Sequence, residues 1–162
     1  MTPLGWILVG VLCVSILGML AVRPLRRAML EAQLVEAQRL FHIQRERLEA
    51  KFVQLAENSG KPRGLRWKLC EFDDDVSYAR DRKSTTITAM VACTISFEAI
   101  EGGGMEEVEA VGNLRAATSV FTFQHNQWST DGRAIFNLGP TEAIAYYKKS
   151  LVPVGQEISH TN

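Results

Sequence analysis

TTITAMVACTISFEAI, residues 85–100, alternates apolar and polar side chains with a period of two. Ile87, Ala89, Val91, Cys93, Ile95, Phe97 and Ala99 fall on one face, and Thr86, Thr88, Thr94, Ser96 and Glu98 on the other. Successive side chains of an extended chain point to opposite faces, so the stretch predicts a strand of an antiparallel sheet with one packed face. Met90 and Ala92 interrupt the polar face, so part of that face is expected to be covered as well.

The flanks continue the pattern. Upstream, Leu65, Trp67 and Leu69 alternate with Arg66 and Lys68, a half-buried strand with a bulge before Phe72. Asp73, Asp74 and Asp75 then predict a turn, and residues 76–80 a short strand returning beside the first. Downstream, Gly102, Gly103 and Gly104 predict a mobile turn, and residues 108–115 an extended segment. Residues 117–123 and a return from Trp128 towards Phe136 flank the polar turn 124–127. Thr130, Asp131 and Gly132 mark a bend in that return. Gly139, Pro140, Thr141 and Glu142 open a short helix over 143–149, with Lys148 and Lys149 at the negative end of its dipole. Residues 65–152 are thus expected to form a curved antiparallel sheet of four to five strands with a short C-terminal helix, and 153–162 a flexible tail.

Before the sheet the period changes to that of a helix. Residues 25–57 are rich in Ala, Leu, Glu, Gln and Arg and contain neither Gly nor Pro. Leu30, Leu34, Ala37, Phe41, Gln44 and Leu48 repeat at alternating steps of four and three, and Phe52 and Leu55 continue after a stutter. This stripe has two readings: a parallel coiled coil joining copies of the chain into a homo-oligomer, or a helix packed on its own sheet. Gln44 in the seam favours a composite, with residues 41–55 docked on the sheet and the upper part a stalk. Gly60 and Pro62 end the helix, making 58–64 a linker.

Residues 4–22, from Leu4 to Val22, carry no charge, and Arg23, Arg26 and Arg27 follow directly. At about 1.5 Å per residue such a helix covers roughly 28 Å, near the hydrocarbon thickness of a bilayer. No basic region precedes the run and no small-residue cleavage site ends it well, so it reads as an uncleaved transmembrane anchor rather than a signal peptide. The arginines place residues 1–3 outside as a short tail and the rest of the chain in the cytoplasm. Pro24 predicts a break or kink at Arg23–Pro24, so residues 23–57 form an amphipathic stalk jointed to the span.

The fold class is therefore α+β: a transmembrane helix, a long amphipathic helix, the sheet, and a short helix. The aromatic hairpin Val120, Phe121, Thr122, Phe123 and Trp128, set around His125 and Asn126 and following a long helix, resembles the cystatin-like and NTF2-like α+β architectures. NTF2-like membership would imply a pocket lined by the sheet and closed by the long helix or by the 143–149 helix. A membrane helix continuing as an amphipathic helix and then a sheet is also similar to the type IV pilin plan, which would imply an envelope assembly subunit.

Composition narrows the function. Eighteen basic and eighteen acidic side chains balance, so no basic field points to nucleic acid. The cysteines, Cys13, Cys70 and Cys93, form neither a disulfide framework nor a metal motif. Asp73, Asp74 and Asp75 lack the spacing of a calcium loop and read as a solvated turn. Glu106, Glu107 and Glu109 read as a charged loop at a sheet edge, with an acidic contact surface as the alternative. His125 and Asp131 lie on opposite arms of a hairpin, with His125 in the turn rather than a cleft, and His42 reads as a surface histidine. No catalytic, cofactor or metal motif emerges. The expectation is a non-enzymatic, single-pass membrane protein whose soluble domain is an interaction or assembly module for an unidentified protein partner. A small-molecule-binding domain or enzyme of NTF2-like form is the alternative.

Overall fold

The computed structural model describes residues 3–58 and 64–159, with side chains described from Val22 onward. The chain is α+β. Its elements are α1 (Pro3–Asn58), β1 (Leu65–Asp81), β2 (Ile87–Ala99), a 3-10 turn (Glu109–Gly112), β3 (Arg115–Gln124), β4 (Gln127–Ser129), β5 (Ala134–Phe136), α2 (Pro140–Tyr146) and β6 (Leu151–Glu157). It divides into two compact units, Met1–Gln38 and Arg39–Asn162.

In the first unit α1 runs through Pro24 uninterrupted, so of the break or kink expected at Arg23–Pro24 the break is absent. One proline removes one backbone donor, and the helix-forming residues around it keep the remaining ladder. Val22, Arg23, Arg26 and Arg27 are exposed. Among the described residues no helix is long and apolar enough to cross a membrane. The side chains of Leu4 to Ala21, on which the expected span rests, lie outside the described residues.

The second unit is built on an antiparallel sheet of six strands rather than four to five, in the order β4–β3–β2–β1–β6, with β5 also paired to β3. The alternating stretch 85–100 forms β2, with Ile87, Ala89, Val91, Cys93, Ile95 and Phe97 buried. Residues 65–72 and 76–80 are not a hairpin. They are two halves of one strand of 17 residues, and both pair with β2. The register slips between Phe72 and Val76, so the three aspartates form a bulge rather than a turn. A turn there would have left half of β2 unpaired on its β1 side, a larger loss than one bulge.

Three further segments differ from expectation. Residues 151–157 are a strand, not a frayed tail, because they pair the upper half of β1; Pro153 is accommodated since β6 is an edge strand. The segment before β3 contains the 3-10 turn, whose Val111 is buried against the sheet. The return from Trp128 splits into β4 and β5 around the bend at Thr130, Asp131 and Gly132. The hairpin turn is tight: His125 and Asn126 both have positive φ, 48° and 63°, the geometry of a two-residue type I′ loop.

α1 covers one face of the sheet. The Phe41 ring meets Phe121 at 5.5 Å, Trp128 at 5.0 Å and Tyr78 at 6.1 Å, while Phe52 meets Phe121 at 5.8 Å and Phe72 at 5.7 Å. Phe41, Phe52, Tyr78 and Phe121 are fully buried. On the opposite face α2 sets Ala143 and Ile144 against Ala79 and Met90, the partial cover that Met90 anticipated. Glu142 Oε2 accepts a hydrogen bond from the Gly139 backbone N–H at 2.9 Å and so caps this helix.

The bend before β5 packs directly on the end of α1. A Cβ at Gly132 would lie 2.5 Å from the backbone nitrogen of Ala56, and Gly132 has φ +76°. Gly132→Ala should therefore lower stability by more than the about 1–2 kcal/mol of a left-handed alanine alone. Chemical denaturation checks this, and an unchanged midpoint would contradict the close approach.

Candidate functional site

α1 is described as far as Asn58, and Ala56 in its last turn borders an opening on the sheet face. The opening is a cleft of about 750 Å³ over the ends of four strands. Its floor is apolar: Leu65 and Trp67 from β1, Phe97 from β2, Ala134 and Phe136 from β5, with Ala56 from the helix end. Trp67 and Phe97 stand edge to face with centroids 5.6 Å apart, and Phe97 and Phe136 follow at 6.5 Å. Phe52 meets Trp67 at 6.3 Å, so this row of rings continues from the core to the cleft. Phe136 is 41% exposed, although it lies on the same face as the core.

The rim is set by backbone constraints. The triple-glycine loop is pinned across the start of β1: the Ile100 N–H donates to the Gly64 carbonyl at 2.8 Å, and a Cβ at Gly103 would lie 2.6 Å from the Cα of Gly64. Glu106 accepts a hydrogen bond from the Gly102 N–H across the same loop. Backbone N–H groups, its own foremost, hold the Glu106 carboxyl below the usual carboxylate range. The ordered loop presents Met105 to the cleft. On the opposite side the bend supplies Asp131, Gly132 and Arg133, and the first residue of β3 supplies Arg115.

Among the described residues three charged ones line the cleft, with different commitments. Asp131 Oδ1 accepts from the Arg133 backbone N–H at 3.1 Å. The Arg133 guanidinium is engaged with Tyr147, donating to its hydroxyl at 2.9 Å and lying 5.3 Å from its ring centroid. Arg115 is exposed, and among the described residues its side chain makes no hydrogen bond or ion pair. An apolar cavity of this size with few polar groups at its edge is the usual form of a small-molecule site.

The chain matches no family model, no curated protein and no solved structure. The cleft must be read from its own chemistry.

The residues singled out in the sequence lie elsewhere. Leu30 and Leu34 belong to the first unit and are half-buried. Phe41, Leu48 and Phe52 are buried in the core of the second unit, so these positions of the stripe are occupied by the chain's own sheet. Leu55 sits beside the Gly132 bend. His125 is exposed in the hairpin turn, and no contact joins it to Asp131. Among the described residues no group of His, Cys, Asp and Glu could hold a metal ion. The aspartate bulge is instead clasped by the helix: Arg45 donates Nη1 to the Asp74 carbonyl at 3.1 Å, Nη2 to the Asp73 carbonyl, and Nε to Glu49 Oε1 at 2.7 Å.

One polar cluster escaped the sequence reading. Tyr78 donates to Glu157 Oε2 at 3.1 Å, and the same oxygen lies 2.8 Å from His42 Nε2, tying β6 to β1 and α1. Burial, then the Glu157 charge, push the Tyr78 hydroxyl well above its ordinary value. Glu157 was invisible as a partner because its segment read as a tail. Cys70 and Cys93 lie on neighbouring strands as free thiols. The hydrogen bond between them, with burial, pushes Cys70 up, while Cys93, bonded also to Ser119, is held below the ordinary thiol value.

The Arg45 clasp has a measurable consequence. Arg45→Met removes a charge-assisted fork and leaves the two exposed carbonyls to water, so a loss of about 1–2 kcal/mol is expected in denaturant titration. A loss below about 0.5 kcal/mol would show that the bulge holds itself.

Proposed function

We propose that this chain is a membrane-anchored binding domain whose cleft takes a small amphiphile with an apolar, ring-sized body and an anionic end. The observation that carries the reading is the cleft of about 750 Å³, floored by Trp67, Phe97 and Phe136 and edged by the uncommitted guanidinium of Arg115. Burying apolar ligand surface there would contribute about 25 cal/mol per Å², and a guanidinium at the rim selects for a carboxylate, sulfonate or phosphate. Among the described residues the cleft is lined mainly by apolar side chains, which supports a binding role. The uncharged run of residues 4–22 and the arginines after it support a single-pass anchor with the domain on the cytoplasmic side.

The probe of choice is 8-anilinonaphthalene-1-sulfonate, which has both features of the expected ligand, titrated onto the full chain in lipid nanodiscs. Saturable fluorescence enhancement above that of empty discs is expected. Ala134→Trp, which fills the cleft, should abolish it, and Arg115→Gln should weaken it about tenfold, near 1.4 kcal/mol. Equal enhancement by all three proteins would exclude the cleft as the site.

The anchor has a separate test. The protein should stay in the membrane pellet through alkaline carbonate extraction, and protease added to intact cells should spare the region after Arg27. Release into the supernatant would remove the anchor, and digestion after Arg27 would reverse the topology.

A further inference from the structure

The lower half of β1 has an open side. β6 pairs β1 only from Val76 to Asp81, so residues 65–72 have β2 on one side and, among the described residues, no strand on the other. A row of unpaired backbone donors and acceptors is a template for another strand, and chains that are to remain single blunt such edges.

The side chains on this segment are ordered in an unusual way. Trp67, Cys70 and Phe72 pack with the core on the helix face, while Arg66, Leu69 and Glu71 are exposed on the other. Trp67 stands opposite Phe97 and Leu69 opposite Ser96, so the bulge at Lys68 drops one residue out of the ladder. In ladder steps Arg66 and Glu71 are thereby equidistant from Leu69. Arg66 pairs with Glu98 on β2, which steadies its side chain on this face. Leu69 between them is 41% exposed.

A strand carrying a cation at one end, an anion at the other and an apolar side chain at its midpoint is complementary to its own reversed copy. We propose that a second copy of this chain pairs antiparallel along residues 65–72, with Leu69 opposite Leu69 and Arg66 of each copy opposite Glu71 of the other. The contact is isologous, as a two-fold dimer requires, and it joins two six-stranded sheets into one. Without the bulge, Arg66 and Glu71 would point to opposite faces and the pairing would have no charge match.

The experiment uses the full chain in detergent micelles, with the dimer dissociation constant measured by sedimentation. Arg66→Glu and Glu71→Arg should each weaken the dimer at least tenfold, since each turns two attractive cross-strand pairs into repulsive ones. The double variant should return to within threefold of wild type. Directly opposed residues have Cβ atoms about 4.5–5.5 Å apart, so Leu69→Cys should give a disulfide-linked dimer on mild oxidation, in excess of any from Cys13, Cys70 or Cys93 in the wild-type protein. A monomeric wild-type chain, a dimer indifferent to both single reversals, or a Leu69→Cys variant that links no better than wild type would each overturn the proposal. Circular dichroism of every variant separates loss of pairing from loss of fold, and a reversal that unfolds the chain leaves the crosslink as the deciding measurement.

Discussion

The seating of the α1 aromatic face on β3 is the constraint from which the rest of the domain follows. Phe41 and Phe52 both touch Phe121, at 5.5 and 5.8 Å, and all three are fully buried. Eleven residues separate the two helix rings, about 16 Å along the axis, so the helix lies lengthwise on the sheet and its direction is set. Burying a side chain of this size is worth roughly 1.5–3 kcal/mol, and the aromatic contacts add to it. With the helix seated, Arg45 reaches the aspartate bulge and His42 reaches Glu157. Its C-terminus is then placed where the Gly132 bend must pass against its backbone.

The cleft is a consequence of this seating. α1 is described as far as Asn58, and of its residues only Ala56 lines the cleft, whose floor is formed by Trp67, Phe97 and Phe136. The triple-glycine loop and the Gly132 bend wall the space without filling it, each held by a backbone contact that a side chain would block. Apolar area left open in this way is unfavourable unless something covers it, and that is the physical reason to seek a ligand there.

How much of this was legible in the residues depends on the range of the interaction. The period of two in residues 85–100 and the apolar stripe through Phe41, Leu48 and Phe52 report which face of an element is buried, and both faces are those observed. The turn at His125 and Asn126 rests on local backbone chemistry and stands where the residues place it, while the short helix opened by Pro140 runs Pro140–Tyr146 rather than over 143–149. The aspartate run misled because a turn and a bulge share the same composition. Only the length of the partner strand distinguishes them. The C-terminal segment misled because edge pairing depends on an open neighbour that no local pattern records.

By itself, the sequence determined the α+β class, the helix-then-sheet order and the buried faces of the main elements. These follow from side-chain periodicity and from backbone preferences of a few adjacent residues. Tertiary structure alone decided that β1 runs on through the bulge at Asp73, Asp74 and Asp75, that β6 pairs the upper half of β1 as an edge strand, and that Trp67, Phe97 and Phe136 share one cleft with Arg115. Each of these joins residues far apart in the chain. Their meeting depends on pairing between strands, which no single segment contains.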